Sequence, residues 1–163
     1  MMRVFTMATE KTVAERCRAL SLRLAVAESC SGGLIAHRLT NIPGISECFL
    51  GGVVSYANSA KTALLGVPAE MIAAKGAVSE EVARAMVTGV CSRLSADVGV
   101  AVTGIAGPGG GTVEKPVGTV WIAAACRGSV LAQKHFFTGD RDAIKAQTAD
   151  AAFLLILKVL ESL

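Results

Sequence analysis

The feature that most constrains this chain is an alternation. Through the first hundred residues, short apolar runs bounded by turn signals trade places with segments of helical spacing. Residues 8–20 read as a helix with Val13, Cys17 and Leu20 on one face. Leu22 to Ala27 follows as a short buried strand, and Leu34 to Leu39 as a helix stopped by Asn41-Ile42-Pro43-Gly44. Phe49 to Tyr56 and Asp97 to Thr103 read as the second and third strands. Between them, Asn58 is expected to N-cap a helix through Leu65, and Pro68 to open a short helix ending near Gly76. Ser79 caps a longer helix whose Val82, Ala85, Met86, Val90 and Leu94 form an apolar stripe. Such alternation predicts a parallel sheet with helices on both faces. Val117 to Cys126 and Ser129 to Phe137 then read as a hairpin around Arg127-Gly128, and Asp140 caps a last helix reaching Glu161. The expected fold is α/β: a three-layer α/β/α sandwich with a mixed, mostly parallel sheet of about five strands.

Composition removes several alternatives. The chain has 163 residues, no visible repeat and no Pro- or Ser-rich linker, so one domain over 1–163 is expected. Apolar residues are 52% and charged residues 18%, which is not the balance of a disordered chain. The longest apolar runs, such as Ala151 to Leu157, are too short to span a bilayer, and Met1 to Glu10 holds no apolar signal core. Cys17, Cys30, Cys48, Cys91 and Cys126 form no CxxC pair, so neither zinc nor a disulfide framework is expected, and the setting expected is cytoplasmic. The net charge of +3 is spread along the chain, and Tyr56 and Trp121 are its only large aromatics with a polar edge. Base stacking over a basic groove asks for more, so neither a nucleic-acid nor a membrane partner is expected.

In sheets of this kind ligands bind outside the carboxyl ends of the parallel strands. Three loops fall there: 28–33, 56–61 and 103–116. Ser29 sits on a strand-to-helix turn, where a nucleophile is exposed beside backbone N–H groups able to hold an oxyanion. The spacing is not G-x-S-x-G, and Ser29 or Ser31 as a simple helix cap is the alternative. Cys30 is a rival nucleophile, though packing suits a cysteine in so apolar a chain. With Asn58 as N-cap, Lys61 takes the third helical position, where the helix dipole and partial burial disfavour its ammonium form and suit it as a base; a solvated lysine is the alternative. The third loop, Thr103 to Gly111, has five glycines but neither a P-loop ending nor G-x-G-x-x-G, and reads as a backbone cradle for an anion or ribose, or as a surface turn. Arg141, at the start of the last helix, could grip a phosphate. His37 and His135 lie in separate elements, so no histidine triad or metal site is expected.

Taken together, Ala27-Glu28-Ser29-Cys30-Ser31-Gly32-Gly33, Gly52 to Lys61, Gly76-Ala77-Val78-Ser79, Thr103 to Pro108 and Lys115 to Val120 resemble the CinA C-terminal domain family, which includes the nicotinamide-nucleotide amidases. The resemblance runs from about residue 8 to the C-terminus, with Ser31 where threonine is common and Gly109-Gly110-Gly111 where Asp or Thr often follows the proline. It implies hydrolysis of the amide of nicotinamide mononucleotide (NMN) to nicotinate mononucleotide and ammonia, with no cofactor and no metal. It carries the nucleophile onto Ser29 and its lysine partner onto Lys61, with Tyr56 sharing the proton relay. Ser31, Gly32, Gly33, Asn58, Thr103, Gly104, Gly107 and Arg141 are then expected to hold the small-molecule nucleotide, and a homo-oligomer is expected. An amidase of another small amide, or a non-catalytic nucleotide-binding module linked to competence or DNA damage, are the alternatives.

Overall fold

The computed structural model describes residues 9–163. Five strands form one sheet in the order β2-β1-β3-β4-β5: β1 (Leu24–Glu28), β2 (Phe49–Val54), β3 (Val98–Gly104), β4 (Thr119–Cys126) and β5 (Ser129–Phe136). β1 pairs in parallel with both β2 and β3, and the β4–β5 hairpin adds two antiparallel pairings. Four of the five strands therefore run in one direction, as the alternation predicts. Among the described residues six α-helices accompany them: α1 (Thr9–Ala19), α2 (Leu34–Thr40), α3 (Asn58–Leu65), α4 (Ala69–Lys75), α5 (Glu80–Leu94) and α6 (Arg141–Glu161). The expected first residue of α1, Ala8, lies outside the described residues.

Side chains on the strands alternate between two cores of different character. Leu24, Val26, Val98, Val100, Val102, Val120 and Ile122 point to one face and pack under α1, α2 and α6, where Phe153, Leu155 and Ile156 are buried. Burying each such large side chain contributes about 1.5–3 kcal/mol. Ala25, Ala27, Ala101, Ala123 and Ala125 point to the other face, against Val82, Met86, Val87 and Val90 of α5. Small residues there let α5 lie close to the sheet: a Cβ on Gly99 would stand 2.4 Å from Cys91 Sγ. Small strand residues are thus concentrated on the sheet face that α5 covers. Outside, Arg38 of α2 bridges Glu10 of α1 and Asp150 of α6 at 2.9 and 2.7 Å and tightens the valine-face layer.

Several boundaries depart from the sequence reading by one or two residues; β2 ends at Val54, not Tyr56, and β4 begins at Thr119, not Val117. β1 begins at Leu24, because the Leu22 N–H still bonds Cys17 O at 2.8 Å and belongs to the exit of α1. Asn58 is not the N-cap of α3. Ala57 takes that position in extended conformation with no side-chain bond, and Asn58 is the first helical residue. Ser79 and Asp140 do cap their helices, accepting from Val82 N and Ala143 N. β1 lies at the middle of the parallel part of the sheet and is buried along its whole length. Its carboxyl end is where the three loops gather.

Candidate active site

At the end of β1 the alternation of side chains sends two consecutive residues to opposite layers. Glu28 turns towards α2, and Ser29 towards α3. The backbone of this corner is held from both sides: Ser29 N–H donates to Val102 O at 3.1 Å, and Glu28 O accepts from Ser55 N at 2.8 Å. These bonds prolong both parallel ladders of β1 past the strand. Ser29 is 7% exposed and opens onto a cavity of about 170 Å³.

Lys61 meets it there. The lysine is 1% exposed, and its Nζ lies 3.1 Å from Ser29 Oγ, 3.0 Å from Ser55 O and 3.2 Å from Tyr56 O. None of the ion pairs among the described residues includes it. A neutral amine fits this arrangement. Its two hydrogens go to the two carbonyls, and its lone pair is left facing the serine hydroxyl. Burial lowers the Lys61 pKa from its ordinary 10.5, since an ammonium without a carboxylate partner is costly to desolvate. The helix dipole has a smaller share than the sequence reading gave it. Lys61 is the fourth residue of α3, its N–H already bonded to Ala57 O at 3.2 Å, and the dipole effect fades within the first turn.

Tyr56 sits differently from its expected place in a proton relay. Its main-chain carbonyl receives the Lys61 bond, while its phenol, on a side chain 59% exposed, accepts from Arg141 Nη2 at 2.9 Å. Arg141 Nη1 also donates to Gly107 O at 2.7 Å. The guanidinium thus ties the start of α6, the glycine-rich loop and Tyr56 together at the rim. Cys30 lines the cavity next to Ser29, but burial and the nearby Glu28 carboxylate push its thiol up to about 12, which leaves it protonated and a poor nucleophile.

Of the expected substrate-holding residues, Asn58, Thr103, Gly104 and Arg141 line the cavity with Ser29, Lys61 and Tyr56. Gly107 supports the rim through its carbonyl. Thr103 Oγ1 donates to Ala77 O at 2.8 Å and so anchors the 76–79 segment. Ser31, Gly32 and Gly33 are not among the lining residues. Ser31 is fully buried, its hydroxyl donating to Glu28 Oε1 at 2.7 Å, and the two glycines take the left-handed conformations (φ +62° and +103°) that turn the chain into α2. Neither Ser29 nor Ser31 caps that helix. Its first N–H, on Leu34, goes to Ser31 O at 3.2 Å, and the next two go to Glu28, Ile35 N to Oε1 at 2.9 Å and Ala36 N to Oε2 at 3.0 Å.

Sequence reasoning assigned no role to Glu28, Ser55, Ala77, Val78 or Ala106. The 76–79 motif was a usable signal for Ala77 and Val78, which line the cavity. Among the described residues no group of three or more His, Cys, Asp or Glu could hold a metal ion, and no helix is long and apolar enough to cross a membrane. A larger open groove of about 630 Å³ beside α5, lined by Leu65, Met71 and Arg84 among others, contains neither Ser29 nor Lys61.

Comparison with known proteins adds to this geometry. The family model of the CinA C-terminal domain matches residues 6–160. The chain belongs to the CinA C-terminal domain family. A putative competence-damage inducible protein of Moorella thermoacetica is 53% identical over 141 residues, which are 86% of this chain and 34% of that protein. The chain thus spans about a third of the length of the curated relatives it matches. Among solved structures, a CinA superfamily protein from Klebsiella pneumoniae superposes with a TM-score of 0.92 at 37% identity, covering 95% of this chain and 97% of the other. A competence/damage inducible protein from Agrobacterium tumefaciens gives 0.88 at 41% identity, covering 97% and 99%. These CinA-family structures share the mixed five-stranded sheet with helices on both sides.

Proposed function

We propose that this CinA-family chain hydrolyses the carboxamide of NMN, giving nicotinate mononucleotide and ammonia. The observation that carries this reading is the buried contact between Lys61 Nζ and Ser29 Oγ at 3.1 Å, with two carbonyls placed to take both hydrogens of a neutral amine. Lys61 accepts the Ser29 proton as Oγ attacks the amide carbon. The tetrahedral oxyanion is held by N–H groups of the turn that follows Ser29. Lys61 then gives its proton to the leaving nitrogen, and ammonia departs. Water, deprotonated by the same amine, cleaves the acyl ester and restores the serine. Every proton lent to Lys61 is returned within the cycle.

The cavity's size supports the choice of substrate. At about 170 Å³ it is smaller than the 300–1,000 Å³ that encloses a whole drug-sized ligand, so it suits an amide-bearing ring whose remainder lies at the rim. Arg141 stands on that rim, already oriented by Gly107 and Tyr56, where a phosphate would meet it.

The names of two relatives, competence-damage inducible proteins, suggest a second reading, a non-catalytic module connected with competence or DNA damage. That reading leaves the buried Ser29–Lys61 contact without a use. Ammonia release from NMN separates the two. The wild type should release it, Ser29→Ala should lose at least about a thousandfold in kcat, as catalytic-group removal commonly does, and Cys30→Ala should keep most of its activity. A wild type without turnover, or a folded Ser29→Ala with normal turnover, refutes the amidase.

A further inference from the structure

Besides Lys61, Glu28 is the only buried charged residue among the described residues, and the mechanism above has no use for it. Its carboxylate is 0% exposed, and no cation pairs with it in the ion pairs among the described residues. Burying an unpaired charge is costly unless hydrogen bonds replace the lost water. Here three do: Ser31 Oγ at 2.7 Å, Ile35 N at 2.9 Å and Ala36 N at 3.0 Å. All three donors lie in the segment that follows the nucleophile, and Glu28 immediately precedes it. The carboxylate therefore closes a loop around Ser29, from the last residue of β1 to the first turn of α2.

The same residue reaches the other half of the dyad through its main chain. Glu28 O accepts from Ser55 N at 2.8 Å, and Ser55 O accepts from Lys61 Nζ at 3.0 Å. One residue thus fixes the turn that carries the serine and the strand end that holds the lysine. We propose that Glu28 is a positioning residue, which sets the Ser29 hydroxyl within reach of Lys61 by clamping residues 31–36. A carboxylate suits this task better than its amide. Both oxygens face donors only, so a Gln amide nitrogen would confront an N–H or a hydroxyl proton with a proton of its own. This inference rests on the Ser29–Lys61 assignment, and it concerns the serine's readiness, not the identity of the amide.

The test reads serine reactivity apart from turnover. A fluorophosphonate probe phosphonylates an activated serine oxygen with loss of fluoride and requires no NMN. Glu28→Gln, Glu28→Asp and Ser31→Ala are compared with wild type, their folding checked by circular dichroism and thermal melting. Misplacement by about 1 Å costs about a hundredfold in rate, so labelling of Ser29 in Glu28→Gln should fall by about that factor, and kcat should fall with it while KM changes little. Glu28→Asp keeps the charge but is one methylene too short to reach α2, and it should be as impaired as the Gln variant. Ser31→Ala keeps both backbone bonds and should lose about tenfold or less. If Glu28→Gln does not fold, Glu28→Asp and Ser31→Ala carry the test. Wild-type labelling rates in folded Glu28→Gln or Glu28→Asp, a loss confined to KM, or a wild-type Ser29 that the probe never labels would each overturn the proposal. A labelled, Glu28-dependent Ser29 in a protein that leaves NMN untouched would sustain it and reject NMN as the substrate.

Discussion

Lys61 illustrates how one side chain can be both costly and useful. Its burial lowers the pKa of the amine below the ordinary 10.5. Between that lowered value and 10.5 the unfolded chain binds a proton that the folded chain does not, so conformational stability rises with pH across this window and falls on acidification through it. Activity should follow the same ionisation. The rate of ammonia release should climb with pH through an inflection below 10.5, and Lys61→Arg should be as inactive as Lys61→Ala, because a guanidinium keeps its proton. Substantial turnover by Lys61→Arg would reduce the lysine to an electrostatic role. On the proposed function Arg141 serves binding, not the chemical step. Arg141→Ala should raise KM for NMN about tenfold or more, the scale of one charge-assisted hydrogen bond, and change turnover of free nicotinamide far less. Equal losses on both substrates would make Arg141 a brace for Tyr56 and the 107 loop. At this scale loop position and residue type marked Ser29 and Lys61 only as candidates beside plainer readings, and it was the family resemblance that singled them out. Glu28 was not legible, because its role depends on contacts seven and eight residues further along, across a turn whose shape local propensity does not specify.

At the scale of elements, the register of α3 on α5 places the lysine. Gly89 of α5 packs against the end of α3 so closely that a Cβ there would fall 2.0 Å from Leu65 O. Gly89→Ala should therefore push α3 outward at a cost of about 1–3 kcal/mol. The expected result is a melting temperature lower by several degrees, with kcat reduced although the substitution lies outside the cavity lining. A variant that melts early but turns over normally would show that α3 slides without moving Lys61 Nζ. The elements themselves were readable because strands and helices alternate with clear punctuation at Pro43-Gly44, Pro68 and Ser79. The start of α3 was misread for a physical reason. Asn58 is an excellent cap by propensity, yet it lines the cavity, and the chain enters the helix at Ala57 with no side-chain cap. Tertiary placement overrides a preference worth about 1 kcal/mol.

For the whole molecule, the residues that line the cavity lie between positions 29 and 141, although the curated relatives are about three times as long as the chain. The 163-residue chain should accordingly release ammonia from NMN unaided; a requirement for added sequence from a longer relative would show the cavity to be incomplete. The central place of β1 has a consequence in time. Its two ladders join Leu24 to Phe49 and to Val98, partners that lie far along the chain. Non-local pairing of this kind is the slow part of folding, because the loops must close before the contacts reward them. Ser29 is synthesised early, but the carbonyl that holds its N–H, on Val102, leaves the ribosome much later. A nascent chain that ends at α5 already has its serine and lysine and lacks the strand that orients them. Refolding should show the same order. Ammonia release should begin only after a lag matching the slowest folding phase, with no early burst, and a burst would mean that the nucleophile is set before β3 has docked.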